Sequence, residues 1–410
     1  MKPSAPQKGL PRAADPRDAL KLLYDPDLLS WAADPHQNPH WHHARSTTTG
    51  ADRLSVENAF RGYGATQKWA ERALELLRRP LHEMEEAAPK LKSTKVPKQQ
   101  PWDPKFDTKK TRVIYVPCVL RRVISAHLAY ILTITSKNAI STAAWAYIPG
   151  LRNPVPELTH KVAEGFKGAD RFHAKLDIRD CFNSLSWKHL RKSLLRLGYP
   201  EQFVSVLMIF VSVPAVERRG SRWVTIRRTK GAAAGLPESG ILLNLLLAEI
   251  DEKILRDCGV QYDRYSDDLI IRGSTKSAVS VAATTFCHWA WTHGLSLKGV
   301  TRGTDLALLV TDVREAPLEL LGVLIDEHGD RHIPQSKVDD HLATLAYLGA
   351  IASQGRESVV GTSKYAGGRA SKGLQMADQD DLEAVVWGTH RYWSRFNRAE
   401  ADELLAAGLS

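Results

Sequence analysis

Two adjacent acids, Asp267 and Asp268, follow Tyr265-Ser266 between two short apolar runs, a pattern that sets both carboxylates at the tip of a hairpin. Held that close, they repel one another unless a cation sits between them, and a divalent metal is the natural one. Magnesium favours one or two carboxylates completed by substrate phosphates, and a pair of ions ~4 Å apart stabilises both the attacking and the leaving oxygen of phosphoryl transfer. A lone Ser-Asp-Asp is an ordinary turn; a second acidic strand end is what gives it weight. Lys175-Leu176-Asp177-Ile178 puts Asp177 at the end of an apolar strand 90 residues earlier, shortly before a helix. Two strand ends of one sheet can converge three carboxylates on one metal pair.

Such convergence needs a sheet, and the sequence supplies one. Strand patterns occur at Val113–Pro117, Phe172–Ile178, Trp223–Ile226, Gln261–Tyr265, Leu269–Arg272, Leu306–Val310 and Leu318–Ile325. Helical spacing marks Ala65–Glu86, interrupted at Pro80, and Val119–Leu132. Ser186–Leu197, Ser239–Cys258 and Lys276–His293 are helices closed by Gly198, Gly259 and Gly294. This order predicts an α+β fold, an antiparallel sheet with helices on one face. Residues 1–50 read as an irregular extension with a short helix near Asp18–Leu23, and Pro89–Lys110 as a flexible basic linker. His36, His40, His42 and His43 lie in that extension without cysteine neighbours, which disfavours a metal site there. Beyond Gln335 only helices are expected, Lys337–Leu348 and Asp380–Phe396, joined by a Gly/Ser/Lys-rich stretch, Gly355–Lys372.

The 410 residues are 43% hydrophobic and carry a formal net charge of +10, with a pI near 9.3, which suits a holder of polyanions. The basic hairpin region Arg218, Arg219, Arg222, Arg227, Arg228 and Lys230 surrounds Trp223 and is read as a contact for nucleic-acid phosphates. The charged helix Trp187–Lys192 is equally readable as a solvated face. Cys118, Cys181, Cys258 and Cys287 have no paired spacing and are expected as reduced thiols. No stretch reaches the ~18 apolar residues of a membrane span, so a cytoplasmic protein without a membrane role is expected.

Strand–Asp–helix followed by hairpin–Asp-Asp resembles motifs A and C of reverse transcriptases, and the likeness runs from about Gly50 to Asn397 in order. Gly50–Ser55 resembles the N-terminal element of group II intron-like enzymes. Arg112–Pro117 with Arg121-Arg122 resembles the first fingers motif, and Ala146–Gly150 the second. Gly231–Gly235 with Ser239, Leu242, Asn244, Leu247 and Asp251 is similar to motif B, Leu320–Val323 to the primer grip, and Leu382–Asn397 to a thumb helix.

The resemblance implies a right-hand polymerase: fingers over 51–170, a palm over 171–330 with a fingers insertion at about 199–230, and a helical thumb over 331–410. It implies that Asp177, Asp267 and Asp268 are catalytic and hold two Mg2+ ions, or Mn2+ in their place, with the Ile178 carbonyl adding a contact. It assigns the triphosphate to Arg112, Arg121 or Arg122 without choosing among them, Lys298 or Arg302 to the pyrophosphate, and Gly235 to the nucleotide. Phe182, five residues after Asp177, would exclude a sugar 2′-hydroxyl and so select deoxynucleotides. Tyr265 and Gly322 would lie at the primer end.

The implied partners are an RNA template, a noncoding RNA among the options, deoxynucleoside triphosphates and a DNA product. The lineage resembled is that of stand-alone, defence-associated prokaryotic enzymes. Ala233-Ala234 stands where motif B usually carries Pro-Gln, which leaves open a template-independent or RNA-synthesising transferase. A non-catalytic, maturase-like RNA-binding protein is the other alternative, and the intact acid triad speaks against it.

Overall fold

The computed structural model describes residues 13–34, 65–97, 111–148, 150–151, 153–340, 342, 390 and 392–409. Gly50–Ser55, the four N-terminal histidines, Pro149, the Gly355–Lys372 stretch and most of the two expected C-terminal helices lie outside them.

The central sheet is four-stranded, in the order β6-β7-β3-β8: β3 is Phe172–Asp177, β6 Gln261–Tyr265, β7 Asp268–Gly273 and β8 Val310–Asp312. Every neighbouring pair is antiparallel. Alternation along β7 splits its side chains between two cores. Leu269 and Ile271 join the main apolar cluster with the helices Pro237–Asp257 and Lys276–Thr292, whereas Ile270 joins a second cluster with Leu158, Val162 and Phe166 of the helix Pro154–Lys167. Helices therefore cover both faces, not one. Pro154–Lys167 has a strong apolar stripe, and the second face needs that cover because Ile270 is fully buried.

A second sheet has the order β2-β1-β4-β5, with β1 Leu91–Pro97, β2 Thr111–Val116, β4 Ala215–Arg219 and β5 Arg222–Ile226. Strand β1 overturns the linker expectation for its residues. Its Lys, Ser and Thr side chains give no apolar alternation, and it is held by backbone pairing with β2 on one side and β4 on the other. The irregular N-terminus is corrected as well. Helices Ala19–Leu23 and Pro26–Ala33 bury Leu22, Leu23, Leu28, Leu29 and Trp31, and the Asp25 carboxylate caps the second by accepting from the backbone N–H groups of Asp27 and Leu28. Asp25-Pro26, an N-cap followed by proline at the first helical position, was the signal for it.

Three other differences are local. Leu306–Leu309 is a 3-10 turn capped by Asp305, so the strand begins only at Val310. Leu318–Ile325 is a hairpin of β9, Leu318–Leu320, and β10, Val323–Ile325, because Leu321 and Gly322 both take positive φ. Ala65–Glu86 is two helices, Ala65–Leu77 and Leu81–Ala87, parted at Pro80. Helices Trp187–Arg196, Pro237–Asp257 and Lys276–Thr292 match their expected spans, and Gly198, Gly259 and Gly294 all have positive φ.

Strand β11, Arg331–His332, pairs with β10, and the helix Arg398–Leu409 docks there through ions. His332 lies between two carboxylates, Nδ1 at 2.9 Å from Glu400 and Nε2 at 3.1 Å from Asp326, and Glu400 also accepts from the Ile333 N–H. Two acceptors on one imidazole require the doubly protonated ring, and the hydrogen bond to Glu400 foremost raises its pKa above 6.5. The contribution to docking is whole below ~6.5, the value in the unfolded chain, and is lost as pH rises through the higher folded value. Amide protection in residues 398–403, taken relative to intrinsic exchange at each pH, is expected to fall in the wild type as pH rises above about 6.5. His332→Gln, neutral throughout, should show low protection that does not change with pH.

Candidate active site

The sheet brings the three acids together. Asp177 ends β3 directly opposite Asp268 in the β3–β7 register, and Asp267 sits in the β6–β7 turn with its carbonyl accepting from the Ile178 N–H at 3.2 Å. Ser266 makes the turn possible at φ +61°. Burial raises the pKa of Asp267, and the like charge of Asp177 adds to it; burial also raises that of Asp268, with Asp177 and Asp267 reinforcing the shift and Lys175 opposing it.

Lys298 is ion-paired to Oδ2 of Asp177, and its backbone N–H donates to the Asp177 carbonyl at 2.9 Å. That pairing makes Lys298 more basic than a free lysine. The other Asp177 oxygen, Oδ1, is buried without a hydrogen-bond donor. A buried carboxylate oxygen lacking a donor, beside two carboxylates that resist ionisation, fits a hard divalent cation. Among the described residues no three or more His, Cys, Asp or Glu side chains form a ready ligand shell.

The strand leading into the acidic turn is pinned on both faces. On one, Arg264 donates to Asp251 at 2.8 Å and to Asn244 at 2.7 Å, and Tyr262 donates to Asp251 at 2.9 Å. On the other, Asp263 accepts from Lys161, Trp145 and Arg272. Asn244 passes the constraint on, donating to the Ala146 carbonyl at 2.9 Å. Sequence reading singled out Asn244 and Asp251 but missed Arg264; its signal was a charge inside an otherwise strand-like run beside a buried-helix acid.

The loop before Pro237–Asp257 locks onto the segment after Asp177. Ala232 N–H donates to the Phe182 carbonyl and Gly231 N–H to that of Leu185, both at 2.7 Å. A Cβ on Gly231 would lie 2.8 Å from Asn183 backbone, and its φ is +92°, so no other residue fits without movement. Phe182 is half-buried, with its ring edge-on to Tyr147 at 6.0 Å. Gly235 is exposed at φ +95° beside Tyr115 of β2. Tyr265 and Leu321, neighbour of Gly322, pack on the same second cluster.

The expected phosphate ligands separate. Arg112 is exposed on β2 and Arg122 partly so. Arg121 is a correction: it is 0% exposed, paired with Glu238 at 2.8 Å, donates to the Phe210 carbonyl and lies over the Phe210 ring, so no triphosphate reaches it. Helical periodicity turns position 121 inward, which the pair Arg121-Arg122 did not reveal. Arg228 is likewise engaged, donating to the carbonyls of Val211 and Gly231 over the Tyr115 ring. Arg218, Arg219, Arg222, Arg227 and Lys230 are exposed around Trp223, itself 55% exposed with Lys92 Nζ 5.7 Å from its ring centre.

Residues 96–299 match the family model "Reverse transcriptase (RNA-dependent DNA polymerase)". Curated relatives from Myxococcus xanthus include the Retron Mx65 reverse transcriptase, 25% identical over 174 residues, and the Retron Mx162 reverse transcriptase, 30% identical over 158 residues. The first match covers 41% of this chain and 39% of the relative, the second 33% and 32%, so the aligned chain spans well under half of either relative's length. Similar solved structures include telomerase from Candida albicans with a fragment of telomeric RNA, at 12% identity and TM-score 0.46, covering 78% of this chain and 57% of that one. Apo telomerase from Candida tropicalis aligns at 11% identity and TM-score 0.45, over 78% and 61%.

Proposed function

We propose that this chain, whose residues 96–299 belong to the reverse transcriptase family, is an RNA-directed DNA polymerase that copies a noncoding RNA in a defence role. The observation that carries the chemistry is the register of Asp177 against Asp268, with Asp267 in the adjoining turn. Asp177, Asp267 and Asp268, with the Ile178 carbonyl, would hold two magnesium ions, or manganese in their place. When bound, these ions lower the pKa of the primer 3′-hydroxyl and offset charge on the departing pyrophosphate.

The protein's own groups do the rest. Lys298, already tethered at the reacting end, supplies positive charge for the pyrophosphate, and Arg112 and Arg122 hold the triphosphate. Gly235 offers a backbone approach to the nucleotide, and Phe182 crowds the sugar 2′ position. Tyr265 and the Gly322 turn, on one apolar cluster, support the primer terminus. Arg218, Arg219, Arg222, Arg227 and Lys230 contact template phosphates, so binding weakens with salt. No helix of the described residues is long and apolar enough to cross a membrane. The retron relatives, by name reverse transcriptases, support the copying of RNA into DNA.

Primer extension on an RNA template tests this reading. Template-directed deoxynucleotide incorporation that EDTA abolishes is the expected result. The Ala233-Ala234 replacement favours a second reading, a transferase that extends without a template; equal incorporation with and without template would establish it instead. No incorporation from any nucleotide set would sink both.

A further inference from the structure

We infer that Tyr147 is the positioning residue that holds Phe182 against the sugar site, so that discrimination between deoxy- and ribonucleotides depends on it; this rests on the polymerase reading above. One ring joins three segments of the site. Its face covers Gly240 in the helix Pro237–Asp257, where an added Cβ would lie 2.3 Å from the ring Cγ. Its ring centre lies 6.0 Å from that of Phe182, with the two planes at 78°. Its hydroxyl oxygen accepts from Ser266 Oγ at 3.3 Å, one residue before Asp267.

Two further features set this apart from ordinary packing. The backbone of Tyr147 is left-handed at φ +60°, a costly conformation for a bulky residue, and it follows a carbonyl held by Asn244. The residue is nevertheless 47% exposed, so it stands at an open surface beside Phe182. Glycine is disfavoured within a helix, and at position 240, in the first turn of this 21-residue helix, its use leaves room for this ring. Phe182 packs on the main apolar cluster, and the Tyr147 ring adds a contact to it from the exposed side.

The test is the ratio of deoxy- to ribonucleotide incorporation efficiency in primer extension, measured as kcat/KM for each. Tyr147→Ala should lower the ratio about tenfold, the scale of a steric discrimination in a pocket, through a smaller KM for the ribonucleotide. Tyr147→Phe, which keeps the ring, should restore it. Gly240→Ala is a second route: it favours the helix, yet it must displace the ring, and it should mimic Tyr147→Ala. In Phe182→Ala, which itself lowers the ratio, adding Tyr147→Ala should change nothing further. An unchanged ratio in both Tyr147→Ala and Gly240→Ala, with Phe182→Ala lowering it, overturns the proposal and leaves the polymerase reading standing. A ratio unmoved by Phe182→Ala overturns it too. A wild-type protein that incorporates no nucleotide overturns the polymerase reading, and this inference with it.

Discussion

Asp267→Asn is expected to lower nucleotide incorporation by ~10^3-fold or more while the fold stays intact, since metal-assisted charge stabilisation is worth several kcal/mol in the transition state. The stability side has a definite sign. Burial, then the charge of Asp177, raise the folded-state pKa of Asp267 above its ordinary 3.8. The folded chain thus binds this proton more tightly than the unfolded chain. The carboxylate costs nothing below the unfolded value, begins to destabilise as pH rises past it, and does so fully above the folded value. Asparagine removes that penalty, so in EDTA at pH 7 the variant should melt at or above the wild-type temperature. Primer-extension rates beside thermal melts separate the two effects. A variant that keeps a tenth or more of the wild-type rate would show that Asp267 does not hold the reacting charge.

Arg264→Met should cost about 3–5 kcal/mol, because it leaves Asp251 as a buried carboxylate without its cation. Both side chains are 0% exposed and 2.8 Å apart. Burial already pushes the Asp251 pKa up, against the pull of Arg264. At about 2–4 °C per kcal/mol for a cooperative unit of about 150–250 residues, the melting temperature falls by roughly 10 °C. Adding Asp251→Leu should recover much of the loss, since an apolar pair replaces the orphaned charge. Activity should not return with it. The Arg264–Asn244 bond at 2.7 Å disappears in both variants, and a hairpin tip displaced by ~1 Å costs about a hundredfold in rate. A single variant within 1 kcal/mol of wild type, measured by denaturant unfolding, would remove the network from the account.

The basic surface shows where sequence legibility ends. Six cations around Trp223 were visible as a run, but only geometry divides them: Arg228 is spent on two carbonyls, whereas its neighbours Arg227 and Lys230 face solvent. Arg121 and Arg122 differ in burial alone: the first is wholly buried and the second partly exposed. A one-residue step on a helix turns a side chain by about 100°, and nothing in an Arg-Arg pair says which one is inside. Strand β1 was hidden for another reason. Its partners are backbone groups of β2 and β4, and backbone pairing leaves no mark on side-chain pattern.

Local rules within the chain determined the acidic hairpin, the strand ending at Asp177, the three long helices with their glycine caps and the mixed class of the fold. Each follows from contacts within a few residues, where periodicity and capping act directly. Tertiary structure alone decided that Asp177 pairs with Asp268, that Lys298 rests on Asp177, that Arg264 reaches Asp251 and Asn244, and that Tyr147 leans on Gly240 and Phe182. Those contacts join residues from 13 to 121 positions apart. They are set by strand register and by which helix face is buried, quantities that belong to the packed chain as a whole.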